Sequence, residues 1–326
     1  MRKVVLVTGG TGLLGTAMKR MFYDYHDKDD VGYFVGKEVC DLESKEKTHE
    51  LFTSLRPTHV IHLAAMVGGL FYNMENNLDF FEKNVSMNMN VLHECYKSTT
   101  VKKVISCMST CVFPDGIELP LTSEKMHLGL PHHSNIGYSF AKRMIDVENR
   151  MLYTVKKPFI GIIPTNLFGP GDNYDIEQGH VIPSLIHKCY LAKRDGTDLF
   201  VRGSGNAKRQ FLYSKDAARL IWRICSNYNG SEPLILAPPE EYSIKEVVDM
   251  IVEIFEFKGN VRYTDMLTIG NSSLQDGQAR KTADGSKILK LYTNFHFTDF
   301  YNALQETIRN FITMKETIGT RSDTSG

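Results

Sequence analysis

The chain has 326 residues, 42% of them hydrophobic and 23% charged, which is the balance of a globular protein with a sizeable core. Lysine plus arginine and aspartate plus glutamate both number 38, so no net field draws the protein to nucleic acid or to an anionic membrane, although a local basic site for a phosphorylated ligand is allowed. No stretch approaches the roughly 20 apolar residues of a membrane span, and the chain enters a strand at once, so the expectation is a cytoplasmic protein without a membrane partner. Its cysteines, Cys40, Cys95, Cys107, Cys111, Cys189 and Cys225, show neither a Cys-x-x-Cys pair nor a Cys/His metal spacing. Free thiols and no bound metal are therefore expected.

Taken in order, the first half predicts a strand at 4–8, a helix from Gly12, a strand at 32–36, a helix at 44–55, a strand at 58–65 and a helix at 76–97. A strand at 102–110, a helix at 135–155 and a strand at 158–167 follow. Short β-branched runs alternating with amphipathic helices are the pattern of βαβ units and a parallel, doubly wound sheet. The rhythm then loosens: helix 181–193, strand 199–202, loop 203–209, strand and helix within 210–226, strand 234–237, helix 243–257 and a last helix 297–314. The predicted organisation is α/β, with a dinucleotide-binding domain of Rossmann type from 1–165 and 211–237. A smaller C-terminal α/β substrate lobe comes from 166–210 and 238–318, and a disordered polar tail from 319–326.

The segment Val4 to Gly15 is a strand, a tight turn and a helix start, with glycines at 9, 12 and 15. Such a turn needs unusual backbone angles and lets the chain approach a pyrophosphate at a helix N-terminus. The next strand ends Val35-Gly36-Lys37-Glu38. A cation there accommodates a 2′-phosphate, so Lys37 leans toward NADP, and Glu38 weighs against it. Asp41 and Leu42 suit the adenine rim, and the small residues of Leu63-Ala64-Ala65 let the chain pass close to the cofactor.

Tyr138 and Lys142 are four residues apart, on one face of a helix. Ser109 falls at the carboxyl end of the fourth strand, where α/β sheets bind ligands. A serine that holds a carbonyl oxygen, a tyrosine that protonates it and an ammonium that lowers the tyrosine pKa from about 10 make a carbonyl-reduction set.

Together, Gly-Gly-Thr-Gly-Leu-Leu-Gly at 9–15, Leu-Ala-Ala at 63–65, Ser109, Tyr138 and Lys142 resemble the extended short-chain dehydrogenase/reductase family. Longer stretches resemble its branch of GDP-sugar 3,5-epimerase/4-reductases: 57–70, 109–114, 164–170, 179–183, 209–213 and Asp276-Gly-Gln278. The likeness runs from residue 3 to about residue 315. It implies conversion of GDP-4-keto-6-deoxy-D-mannose to GDP-L-fucose with NADPH, by epimerisation at C3 and C5 followed by reduction at C4. Cys111 and His180 match the branch's acid/base pair. The C–H groups beside the keto carbon are acidified, and the enolate forms on an oxygen that Ser109 and Tyr138 already address.

The resemblance further implies cofactor contacts from Gly9, Thr11, Gly12, Leu13, Leu14, Gly15, Lys37, Asp41, Leu42, Leu63, Ala64, Ala65, Tyr138, Lys142, Pro164, Asn166, Leu167 and His180. It implies substrate contacts from Asn166, Lys188, Arg209 and Lys281, and a homodimer in which helices 76–97 and 135–155 of each subunit form a four-helix bundle. Lys188 stands where some relatives carry arginine, Gly171 where relatives tend to have histidine, and 265–275 is longer than the usual connection. Two alternatives stay open: a nucleotide-sugar 4-epimerase or dehydratase of the same fold, which needs neither Cys111 nor His180, and an NADP-binding protein without catalysis.

Overall fold

The computed structural model describes residues 2–264, 267–269, 272–274 and 278–322. Asp276 and Gly277 of the Asp-Gly-Gln motif, part of the 265–275 connection and the last four residues of the expected tail lie outside the described residues.

Strand β1 (Val4–Thr8) leads into helix α1 (Leu13–Tyr25), β2 (Val31–Val35), α2 (Lys45–Leu55) and β3 (His59–His62). Then follow α3 (Leu70–Glu75), α4 (Asn77–Lys97), β4 (Lys103–Cys107), α5 (Ile136–Leu152) and β5 (Phe159–Pro164). Next come β6 (Asn166–Phe168), α6 (Val181–Asp195), β7 (Leu199–Arg202), β8 (Lys208–Arg209), β9 (Phe211–Tyr213), α7 (Ser214–Asn227) and β10 (Leu234–Leu236). The chain finishes with β11 (Tyr242–Ser243), α8 (Ile244–Phe255), β12 (Val261–Thr264), β13 (Leu267–Ile269), β14 (Ser272–Leu274), β15 (Arg280–Lys281), α9 (Ser286–Leu291) and α10 (Phe300–Ser322).

Six strands form a parallel sheet in the order β10-β5-β4-β3-β1-β2. Alternation along a strand sends successive side chains to opposite faces. Val5 and Val7 accordingly pack with Met18, Ala217 and Ile221 of α1 and α7, whereas Leu6 packs with Phe52, Val91 and Leu92 of α2 and α4. Covered on both faces, these strands read as continuous apolar runs. Local signals set the helix ends. Ser44 caps α2, Ser243 and Glu246 form a capping box on α8, and Gly196 closes α6 in the left-handed conformation.

A second core forms around Phe168, Ile186, Val201, Val248, Leu304 and Phe311, drawn from β6, α6, β7, α8 and α10. Above the sheet's carboxyl edge, β6 pairs with β9, and β8 lies between β11 and β15. The two-residue strands β8, β11 and β15 escape sequence prediction because they carry no periodicity, yet they deliver Arg209 and Lys281 to the site. Among the described residues, no helix is long and apolar enough to cross a membrane.

Candidate active site

Immediately after β1 the chain turns through Gly9, whose φ is +68°. A Cβ on Gly9 would lie 2.7 Å from the backbone nitrogen of Ala64, and one on Gly15 would collide with the carbonyl oxygen of Gly9. Gly12 is the N-cap of α1, and no side chain caps that end. The result is a glycine-lined cradle at a helix N-terminus, a fitting seat for a pyrophosphate. Ala64 N donates to Thr8 Oγ1 at 3.4 Å, which brings the 63–65 segment alongside the turn.

At the second strand, Lys37 is exposed, with Nζ 3.5 Å from the Glu43 carboxylate. The Glu38 carboxylate and the Thr11 hydroxyl both crowd over Gly36, where a Cβ would meet them. A carboxylate therefore stands nearer the glycine turn than the sequence implied. Asp41 Oδ1 accepts from Glu43 N at 3.3 Å. Leu42 and Leu14 are core side chains, so any ligand contact from them falls to the backbone. Pro164 ends β5, buried, and Leu167 packs against the core below.

The catalytic corner lies at the end of β4. Ser109 is the N-cap of a single 3-10 turn, Thr110–Val112, and its Oγ accepts from Cys111 N at 3.3 Å. Ser109 also lowers the pKa of both the Tyr138 phenol and the Cys111 thiol. Tyr138 and Lys142 sit one turn apart on α5, with Lys142 Nζ 6.0 Å from the Tyr138 ring centre and donating to Cys107 O at 2.9 Å. Phe80 of α4 packs edge-on against Tyr138 at 6.2 Å.

Contrary to expectation, the Tyr138 hydroxyl is pushed up, by burial and then by the Cys111 and Cys107 thiols, with only Ser109 pulling it down. The Lys142 ammonium is itself destabilised by burial and is held by a backbone carbonyl. Tyr138 is thus a neutral phenol, the form that gives a proton. Cys111 behaves oppositely. Burial opposes its ionisation, but the Lys281 ammonium, Ser109 and Asn135 outweigh that and hold the thiol below its ordinary value.

His180 is the N-cap of α6, an exposed residue whose desolvation by surrounding protein lowers its pKa, so imidazolium forms at lower pH than in a free histidine. The turn before it is tied to the loop after β3, where Gly69 N donates to Gln178 O at 3.0 Å. That loop also reaches the Tyr138 side of the site, because Gly68 abuts Tyr72 and Phe80.

The expected substrate residues divide into groups. Asn166 Nδ2 donates to Gln210 O at 2.9 Å, which fixes the floor. Arg209 and Lys281 are register partners on β8 and β15. Lys281 Nζ lies 3.8 Å from Cys111 Sγ, so it reaches the reacting corner as well as the row of cations. Lys188 stands with Arg202 and Glu177 on the α6 side, where burial and then Arg202 push its pKa down. Asn135, which sequence reasoning missed, donates through Nδ2 to Cys111 Sγ at 3.0 Å.

A dinucleotide cradle at the switch of a parallel sheet, with a Ser/Tyr/Lys set at the neighbouring strand end, defines a nucleotide-dependent oxidoreductase or epimerase. Residues 5–244 match the model of the NAD dependent epimerase/dehydratase family, and the chain belongs to that family. It is 44% identical to GDP-L-fucose synthase from Dictyostelium discoideum, across 97% of both chains, and 41% identical to probable GDP-L-fucose synthase from Drosophila melanogaster, across 95% and 97%. The crystal structure of a GDP-L-fucose synthetase from Naegleria fowleri bound to NADP superposes with a TM-score of 0.89 at 45% identity, covering 97% of this chain and 94% of that one.

Proposed function

We propose that this protein is a bifunctional NADPH-dependent 3,5-epimerase/4-reductase that makes GDP-L-fucose from GDP-4-keto-6-deoxy-D-mannose. The observation that carries the proposal is the position of Ser109, which acts on the Tyr138 phenol and, with Oγ accepting from Cys111 N at 3.3 Å, also fixes the turn that presents the Cys111 thiol. A pure reductase needs only the first contact.

In the proposed mechanism, Ser109 and Tyr138 hold the C4 carbonyl oxygen. The Cys111 thiolate takes the proton from the neighbouring carbon, and the C–H electron pair passes into an enolate whose oxygen the same two donors stabilise. His180, as imidazolium, gives a proton from the opposite face; Cys111 then releases its proton to solvent and His180 takes one up, and the enolate is formed anew at the other carbon. Bound NADPH supplies the hydride that reduces C4. Tyr138 then gives its proton to the alkoxide, and Lys142 offsets the phenolate left behind. The Gly9–Gly15 cradle, the 63–65 segment and Pro164–Leu167 seat the dinucleotide, and Arg209 and Lys188 receive the diphosphate end.

Residues 1–165 with 211–237 act as the cofactor domain and 166–210 with 238–318 as the substrate lobe. The assembly is a homodimer. Leu78, Phe81, Met89 and Tyr96 on α4, with Met144 and Met151 on α5, are exposed apolar side chains at helical spacing, as a partner's paired helices would cover them. Sedimentation as a monomer at micromolar concentration would refute the dimer. The activity is tested by incubating the protein with NADPH and GDP-4-keto-6-deoxymannose. GDP-L-fucose as the product, identified by proton NMR, supports the proposal; a 4-epimer with the C3 and C5 configurations retained contradicts it.

A further inference from the structure

Cys111 is held from three directions. Ser109 precedes it in the turn, Asn135 approaches from the N-cap of α5, and Lys281 comes from β15, 170 residues further along the chain. A neutral thiol is a weak acceptor, so two N–H donors on one sulfur complement the anion and not the thiol. The amide lies with its nitrogen toward the sulfur. Ser139, fully buried one turn along α5, donates through Oγ to Asn135 Oδ1 at 3.3 Å, which turns the Asn135 NH₂ toward the sulfur at 3.0 Å. With the amide reversed, its oxygen would face the sulfur and repel a thiolate.

The other titratable neighbour is the Tyr138 phenol on α5, which is neutral and adds no opposing charge while protonated. Cys107, four residues earlier, has its sulfur directed to the Met108 carbonyl at 3.5 Å and meets no such donors among the described residues. The sequence run Asn135-Ile-Gly-Tyr138-Ser139-Phe-Ala-Lys142 thus carries two devices in two turns, one for the reductase and one for the thiol.

We propose that Asn135, oriented by Ser139, and Lys281 are positioning residues that hold the Cys111 sulfur as a thiolate in the resting enzyme. The proposal rests on the reading of Cys111 as the epimerisation base. It also moves Lys281 from a diphosphate contact to a partner of the thiol.

The test is alkylation of the full-length protein by iodoacetamide across a pH series, with labelling at Cys111 followed by peptide mass. The wild-type midpoint should fall below the free-thiol value of about 8.5. Lys281→Met should raise it by about one unit or more, as loss of a neighbouring opposite charge does, and Lys281→Arg should restore most of the shift. Asn135→Asp, nearly isosteric, should raise it as well, and Ser139→Ala should raise it by less. NADPH binding and a cooperative thermal transition serve as checks of folding for each variant.

An unmoved midpoint in Lys281→Met and Asn135→Asp, with a raised KM for the GDP-sugar in the former, would overturn the inference and return Lys281 to the diphosphate. Deuterium exchange by Cys111→Ser separates the two levels. Normal exchange there defeats the base assignment itself, whereas lost exchange beside unmoved midpoints defeats only the positioning role.

Discussion

Cys107 and Cys111 stand four residues apart at the end of one strand, and the protein treats them oppositely. Cys107 closes β4 inside the sheet, where burial pushes its thiol up and makes it an inert apolar filler. Cys111 lies one turn further on and is also crowded, yet Lys281, Ser109 and Asn135 bring it below its ordinary value. Crowding is common to both, so it does not explain reactivity. The donors around the sulfur do, and they exist only where the strand has ended and a 3-10 turn lets other elements approach.

Attacks on the turn should therefore cost far more than attacks on the strand. Tyr138→Phe removes the proton donor and should lower C4 reduction by about 10²–10⁴-fold, the usual weight of a positioned acid, measured as NADPH oxidation. Cys107→Ala should cost about 1 kcal/mol of stability, a typical core loss, read by urea unfolding. If Cys107→Ala instead suppressed deuterium exchange at C3 and C5, the division between the two thiols would be wrong.

The comparison is sharpened by pH. Lowered pKa values at Cys111 and His180 mean that the thiolate persists to lower pH than in a free cysteine and that imidazolium is lost earlier as pH rises. Exchange, which uses the thiolate as base and the imidazolium as acid, should give a bell. Its two limbs report these two groups, both displaced to the acid side of free cysteine and histidine. Limbs that sit at the free-thiol and free-imidazole values would contradict this assignment.

The dinucleotide turn gives a different kind of control, because it works through backbone shape. Gly9→Ala places a Cβ at positive φ and against Ala64, a strain of about 1–3 kcal/mol. It should lower NADPH affinity and the melting temperature together. The smallest effect is expected at Lys37, which is exposed and already beside Glu43. Lys37→Ala should weaken NADPH by less than about fivefold, the range of an exposed ion pair, in a fluorescence titration.

These differences also explain what could be read in advance. The glycine turn and the parallel sheet are encoded locally, in spacing and in apolar runs, so sequence reasoning reaches them directly. Ser109, Tyr138 and Lys142 are recognisable because a strand end and a helical spacing place them. Asn135 and Ser139 carry no such mark, since either would pass as an ordinary cap or helix residue. Lys281 was visible only as one more cation, because its proximity to Cys111 depends on β15 pairing with β8. The Tyr138 pKa was misjudged for a related reason: the sequence shows the ammonium four residues away but not the burial that outweighs it.

The most direct measurement is a paired assay of wild type and Cys111→Ser with GDP-4-keto-6-deoxymannose in heavy water, following deuterium at C3 and C5 together with NADPH oxidation. The wild type should exchange both hydrogens and form GDP-L-fucose, and Cys111→Ser should lose exchange while still reducing some unepimerised ketone. Exchange by Cys111→Ser at the wild-type rate would show that the thiol is packing and that one carbonyl is not served by both devices.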